Sequence, residues 1–511
     1  MEALLQSRIP IAEAIINITR QPSVSIGVIH DGQEALNYFH GVVDVESGQI
    51  AKGDTIYCIA SLTKAFIVAA LDLLVQDGQF SWDSTITSTI PDFKHYADIN
   101  SEITLRNIRS HRTGLLSLDE ITQGLDARNM VSKGDVVKVC SALLIKFRLR
   151  ANYLYNNALY ALAGYLIEHA SESCTWGDFL SERLFKDIRM DRTTAFRSVH
   201  ESDSNIATPY MISTDGSPSK IAPTELSADS MNGASGGVRS TLNNLLKWSR
   251  WLMGGFPPNT TSADLSEQPI SPMFNRMTIA THESVEDGNY CMGWCQHRTP
   301  SRLGLISPNR SLTSPLHGEK SPSVLVSNFY LIPDSKSAIV ILSNGTGLSD
   351  ATDWIAQDLI QAMYGLQPHV NFVDIAKVAA TEYLAHFDKN LRIPLEENRL
   401  PDSKSPPLQD FLGCYFMDGL DTMSLDVTLD DTGSGELLMV VNKQPDQSWK
   451  LWHYHNDVWC HLPKSYDLYL SRGVDRSNWT SFLLSFTRDQ QGKVEGLGWK
   501  LKEVDVTYTP L

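Results

Sequence analysis

Near the start of the chain, Ile11, Ala14, Ile15 and Ile18 recur at helical spacing and predict an amphipathic helix, with Pro10 tolerated at its first turn. The rhythm then switches to alternation. Val24 to His30 and Ala35 to Gly41 flank Asp31-Gly32, which predicts a hairpin. Ala65 to Val75 is an almost unbroken apolar helical run. From Trp82 to about Ile221 the pattern is helical and rich in loops, and Tyr160 to Glu168 reads as a buried helix. Asn243 to Met253 places Leu245, Leu246, Trp248 and Leu252 on one side of a further helix. Strands return at Tyr290–Trp294, Ser323–Ile332 and Ala338–Asn344, the last two joined by the turn Pro333-Asp334-Ser335-Lys336. A helix over Trp354–Met363 closes this part.

Two strands, a helix, a long helical insertion, more strands and a final helix predict an α+β fold. Its antiparallel sheet pairs the first strands with the last and is flanked by helices. Beyond Gly365 the pattern changes. Val370–Phe387 reads as helix, and Pro394–Pro407 is polar with four prolines, a linker by composition. Short strands follow at Leu437–Val441, Trp449–Tyr454, Tyr466–Leu470, Phe482–Phe486 and Val504–Tyr508, with turn residues between them. That spacing predicts a small antiparallel β-barrel at the C-terminal end. The expected division is 1–366, with a helical insertion at about 82–221, then a helix and linker at 367–407 and a barrel at 408–511.

Composition narrows the function. A net charge of −16 argues against general affinity for nucleic acid or an anionic membrane surface, and no apolar run is long enough to span a bilayer. The first residues lack a basic start followed by an apolar core, so no signal peptide is expected. Seven scattered cysteines fit free thiols, and the expected address is the cytoplasm. Cys291 and Cys295, without a second pair or clustered histidines, do not form a metal motif.

The candidate chemistry lies at Ser61-Leu62-Thr63-Lys64, where the long apolar helix opens. Residues three apart share a helix face, so the Ser61 hydroxyl and the Lys64 amine can meet. A desolvated neutral lysine can take the serine proton and make the hydroxyl a nucleophile. Unpaired N–H groups at the helix start favour a developing oxyanion. Two further pieces are weak alone. Tyr155-Asn156-Asn157 offers a phenol that can share a proton with a lysine and, in Asn157, an amide able to orient an amine or a substrate carbonyl. His317-Gly318-Glu319-Lys320 precedes a strand whose edge could supply an oxyanion N–H near Lys320.

Taken together in this order, these pieces resemble the serine β-lactamase-related family: class C β-lactamases, penicillin-binding D-Ala-D-Ala peptidases, and the esterases and acyltransferases that share their β-lactamase/transpeptidase-like fold. Ser61-Leu62-Thr63-Lys64 is similar to the family's Ser-x-x-Lys, and Tyr155-Asn156-Asn157 to its Tyr-x-Asn. His317-Gly318-Glu319 stands where the family has Lys-Thr-Gly, or His-x-Gly in its esterase branch. The segment ending His111-Arg112-Thr113-Gly114-Leu115 resembles the family's His-x-Ser-Gly-Leu signature. Gln79–Asp83 with Ile90–Phe93, and the glycine-rich Asn232–Ser240, resemble further family segments. The resemblance covers roughly 20–365, and the C-terminal strands resemble a lipocalin-like barrel appended to some members.

The resemblance implies an acyl-enzyme on Ser61, with Lys64 and Tyr155 handling the proton. Asn157, His317 and Gly318 would position substrate, a strand N–H near Lys320 would complete the oxyanion hole, and no metal or cofactor is needed. The substrate would be a small acyl compound, an ester, thioester or amide, and in some relatives a carrier protein delivers it. The histidine in the third motif favours the ester and acyl-transfer branch, because the family's β-lactam and peptidoglycan enzymes grip a carboxylate from that strand. Two alternatives stand beside it: a true β-lactamase or D-amino-acid peptidase, and a non-catalytic binding protein on the same fold.

Overall fold

A computed structural model of the chain describes residues 1–97, 99–124, 128–171, 175–198, 201, 203–254, 289–296, 327–367, 369–430, 436–472, 478–501 and 504–510. The first long helix, α1 (Ile9–Thr19), buries Ala12, Ile15, Ile16 and Thr19. Its inward stripe is thus rotated from the predicted one, with Ile11 and Ile18 at its margin. Strands β1 (Ser23–His30) and β2 (Gln33–Asp44) form the predicted hairpin, which continues into the short β3 (Gln49–Ile50).

The long apolar run becomes α2 (Thr63–Gln76), which begins just after Ser61; two further helices are α3 (Asn157–Ala170) and α4 (Leu242–Leu252). The predicted single strand at Tyr290 is instead a tight hairpin of β4 (Asn289–Cys291) and β5 (Trp294–Gln296). Met292 and Gly293 between them both take positive φ, 42° and 85°, the geometry two-residue hairpin turns favour. The last strands of this part are β6 (Ser327–Ile332) and β7 (Ser337–Ser343), followed by α5 (Ala351–Tyr364).

The five-stranded sheet runs β6-β7-β1-β2-β3, so the early hairpin pairs with the late strands. Val24 lies opposite Ser343 and Ile29 opposite Ala338 in an antiparallel register. Alternation along β1 divides its side chains between two layers. Val24, Ile26 and Val28 face α1 and α5, where Ile339, Ile341, Trp354 and Ile355 complete a core. The opposite face meets α4 so closely that a Cβ on Gly27 would come within 2.9 Å of Leu246. That layer carries α2 and α3 behind it.

Beyond α6 (Phe372–His386) the chain continues through a π-helical turn, Phe387–Arg392, into a short helix, Ile393–Glu397, that takes up the start of the expected linker. Eight strands between Gly413 and Pro510 then close an antiparallel barrel. Its inward positions, among them Leu425, Met439, Leu451, Trp459, Trp499 and Val506, fill the interior. Tyr466–Ser471, predicted as a strand, is a helix. The Ser465 hydroxyl caps it by accepting from the Leu468 N–H, and Tyr466 and Tyr469, one turn apart, both turn inward.

The barrel meets the rest of the chain through apolar packing, with Tyr466 and Tyr469 against Phe387, and through polar contacts. The Asn442 amide donates to the Met130 carbonyl at 2.9 Å, and Arg128 pairs with Asp446. Thr214 donates to Asp467 through both its N–H and its hydroxyl. Among the described residues no helix is long and apolar enough to cross a membrane.

Candidate active site

Ser61 lies in a single 3-10 turn, Ala60–Leu62, that runs straight into α2. Ala60, just before it, is held at φ 44°, a left-handed conformation that costs an alanine free energy and persists only where surrounding structure imposes it. Ile56–Cys58 supplies that restraint by pairing with Arg239–Thr241. One turn along, Lys64 is buried, 1% exposed, whereas Ser61 keeps partial access to solvent. The Lys64 Nζ lies 3.2 Å from Ser61 Oγ.

Tyr155 arrives on the segment before α3. Its neighbours are clamped: the Leu154 N–H donates to the His111 carbonyl, and the Asn156 N–H to His111 Nδ1 at 3.0 Å. The Asn156 side chain donates to the Leu115 carbonyl and caps α3 by accepting from the Leu159 N–H. Held this way, Tyr155 places its hydroxyl 2.6 Å from Ser61 Oγ, with its ring 4.4 Å from that of His111. Asn157 opens α3 and accepts from Lys64 through Oδ1 at 2.8 Å.

The third acceptor comes from the glycine-rich stretch. The Ser235 carbonyl receives Lys64 Nζ at 2.7 Å. Only glycine fits beneath it, since a Cβ on Gly233 would lie 1.7 Å from the Ser227 carbonyl oxygen. The Thr63 hydroxyl, next to Lys64 on α2, accepts from the Val238 N–H at 3.0 Å and ties this stretch to the helix.

Electrostatics follow from burial. Desolvation pushes the Lys64 amine down to about 7, opposed by the negative charge of Asp119. Burial raises the Tyr155 phenol far above its ordinary value, only partly offset by its bond to Ser61. The sequence suggested that a lysine cation could favour a phenolate; the lysine's own burial favours its neutral form, so that aid is weak and the phenol keeps its proton. His111, buried and facing Lys64, is held well below the usual imidazole range and stays neutral.

Of the residues singled out in the sequence, Tyr155, Ser61, Lys64 and Asn157 are joined in that order by a chain of hydrogen bonds. His317, Gly318 and Lys320 lie outside the described residues, as does the oxyanion donor expected near Lys320. Strand β6, which follows that segment, runs against the Ser61 turn. Sequence reading assigned no role to Ser235, His111 or Asp119. The first two stand inside segments already resembling family signatures, while Asp119 carries no pattern of its own.

A β-lactamase family model matches residues 11–362, and the chain belongs to that family. It is 26% identical over 287 residues to an unguisins hydrolase of Aspergillus campestris, a stretch covering 53% of this chain and 51% of that relative. The chain thus spans about half the length of this curated relative. The octameric penicillin-binding protein homologue of Pyrococcus abyssi superimposes over 99% of both chains with a TM-score of 0.56 at 17% identity. EstCE1, a hydrolase with promiscuous acyltransferase activity, superimposes over 74% of this chain and 99% of its own, with a TM-score of 0.55 at 14% identity. These likenesses establish a β-lactamase/transpeptidase-like fold, which here ends in a closed barrel, and relatives that include hydrolases.

Proposed function

We propose that the protein is a serine acyl-hydrolase or acyltransferase working through an acyl-enzyme on Ser61. One observation carries the reading: Ser61 Oγ sits between a buried lysine amine at 3.2 Å and a tyrosine hydroxyl at 2.6 Å. A neutral Lys64 donates its two N–H groups to Asn157 Oδ1 and the Ser235 carbonyl, which leaves its lone pair for the Ser61 proton. Ser61 then attacks an ester, thioester or amide carbonyl. The Ser61 N–H at the helix start and a strand N–H near Lys320 hold the oxyanion, while Asn157, His317 and Gly318 position the substrate. Tyr155, on the other side of Oγ, passes a proton to the leaving group, and the Lys64 ammonium gives the proton it took from Ser61 to the resulting phenolate. Water or an acceptor alcohol or amine releases the acyl group by the reverse relay.

The matched hydrolase of unguisins supports hydrolysis, and the likeness to EstCE1 supports transfer as a second outcome. The substrate class that fits is a small acyl compound from a biosynthetic route, with a carrier protein as its donor in one version. His317 in place of the family lysine favours esters over β-lactams. A short-chain p-nitrophenyl ester assayed beside a chromogenic cephalosporin separates the two, and faster turnover of the cephalosporin would overturn the preference. A fluorophosphonate probe is expected to label Ser61. Ser61→Ala should abolish labelling and lower turnover by at least ~10³-fold while leaving the melting temperature nearly unchanged. Comparable turnover in that variant would remove Ser61 as nucleophile.

A further inference from the structure

Lys64 works as a base only if its lone pair points at Ser61, and that depends on which end of the Asn157 amide faces it. The two ends are nearly isosteric, so shape alone does not choose between them. Chemistry does. On one side Asn157 Oδ1 lies 2.8 Å from Lys64 Nζ; on the other its Nδ2 donates to Asp119 Oδ2 at 3.2 Å. A carboxylate only accepts, so it holds the NH2 end and leaves the oxygen for the lysine. A neutral amine can also accept, so without Asp119 the amide could turn over and draw the Lys64 lone pair away from Ser61.

Asp119 is itself fixed. Its Oδ1 accepts from the Ser117 hydroxyl at 2.8 Å and from the Gln123 amide at 3.0 Å. Ser117, fully buried, in turn accepts the Asn157 N–H at 3.1 Å, so the backbone and side chain of Asn157 are both tied to the same short segment. We infer that Asp119 is a positioning residue that locks the Asn157 amide and thereby aims the Lys64 lone pair at the Ser61 hydroxyl. This rests on the reading of Ser61 and Lys64 as nucleophile and base.

The carboxylate also acts on Lys64 through its charge. Groups facing the lysine are Asp119, which raises its proton affinity, neutral His111, and the rings of Tyr155 and Tyr160 at 4.7 and 5.3 Å. Cys295 lies near Tyr155. Burial dominates, and Asp119 is the opposing charge. Removing that charge therefore favours the neutral amine at lower pH.

The test is the pH dependence of fluorophosphonate labelling at Ser61 in the full-length protein, wild type against Asp119→Asn. The expected result is a plateau rate about tenfold lower, less than the ~10²–10⁴-fold that loss of a proton-transfer group itself costs, with the acidic midpoint moved to lower pH. A site merely loosened by the substitution would rehydrate Lys64 and move the midpoint up, which would overturn the inference. So would a plateau and midpoint both unchanged. In an Asn157→Ala background the plateau effect of Asp119→Asn should vanish, because residues acting through one another are not additive; a persistent tenfold loss there would also overturn it. A wild-type protein left unlabelled at Ser61 would instead overturn the underlying reading, and the inference with it.

Discussion

A lysine 1% exposed, hydrogen-bonded to two oxygens and pushed down to about 7, sets its own experiment. Its folded value lies below the ordinary 10.5, so between about 7 and 10.5 the unfolded chain binds a proton that the folded chain does not. Stability therefore rises with pH across that window. Below it, the cost of burying the ammonium is present in full. Lys64→Met removes this dependence. Its stability relative to wild type should be greatest near pH 6 and decline by up to roughly 1.4 kcal/mol per pH unit through the window. Chemical denaturation at pH 6, 8 and 10 measures it, and a pH-independent difference would show that the amine is not buried in its charged form at all. The residue was legible in the sequence as a helical partner of Ser61. Its two acceptors differed: Asn157 was visible by resemblance, whereas Ser235 offers a main-chain carbonyl, which no side-chain pattern advertises.

At the scale of elements, the site is a junction of α2, the segment before α3 and the glycine-rich stretch. Thr63 is the rivet between the first and the last. Thr63→Val keeps the shape and removes only the acceptor, leaving the buried Val238 N–H without it. The expected cost is about 1–3 kcal/mol, with turnover reduced as the Ser235 carbonyl shifts. A melting temperature equal to wild type would mean another group accepts that N–H. Apolar periodicity made α2, α3, α4 and the sheet hairpin legible, because their buried faces are continuous. It failed at Tyr466–Ser471, where alternating apolar and polar residues over six positions suit a strand as well as a capped helical turn. It also merged β4 and β5, because Met292 is not a residue whose presence announces positive φ.

Across the whole molecule, four of the five sheet strands and a later barrel were readable from strand spacing, and the sheet order from the early hairpin matching the late strands; β3 is too short to show a pattern, and Tyr290–Trp294 lies outside that sheet. Part of what connects the two was not readable, because single polar contacts leave no periodic trace. Asn442 is the clearest of these, since its amide satisfies the Met130 carbonyl while its oxygen accepts from the Ser424 N–H. Asn442→Leu should cost about 1–3 kcal/mol by leaving both groups short of a partner. Thermal unfolding monitored by calorimetry measures the loss, and an unchanged transition would mean water replaces the amide on both sides.

The carbonyl that Asn442 holds, that of Met130, lies eleven residues beyond Asp119, and Asn129 beside it also accepts from the Met231 N–H, four residues before Ser235. The barrel thus leans on one end of a strip of chain that at its other end holds the Asn157 amide through Asp119, and whose Asn129 holds the chain just before Ser235. A chain trimmed of its last hundred residues would not merely lose an ornament. It would lose the abutment against which that strip is seated, and the slack would be felt first at the amine.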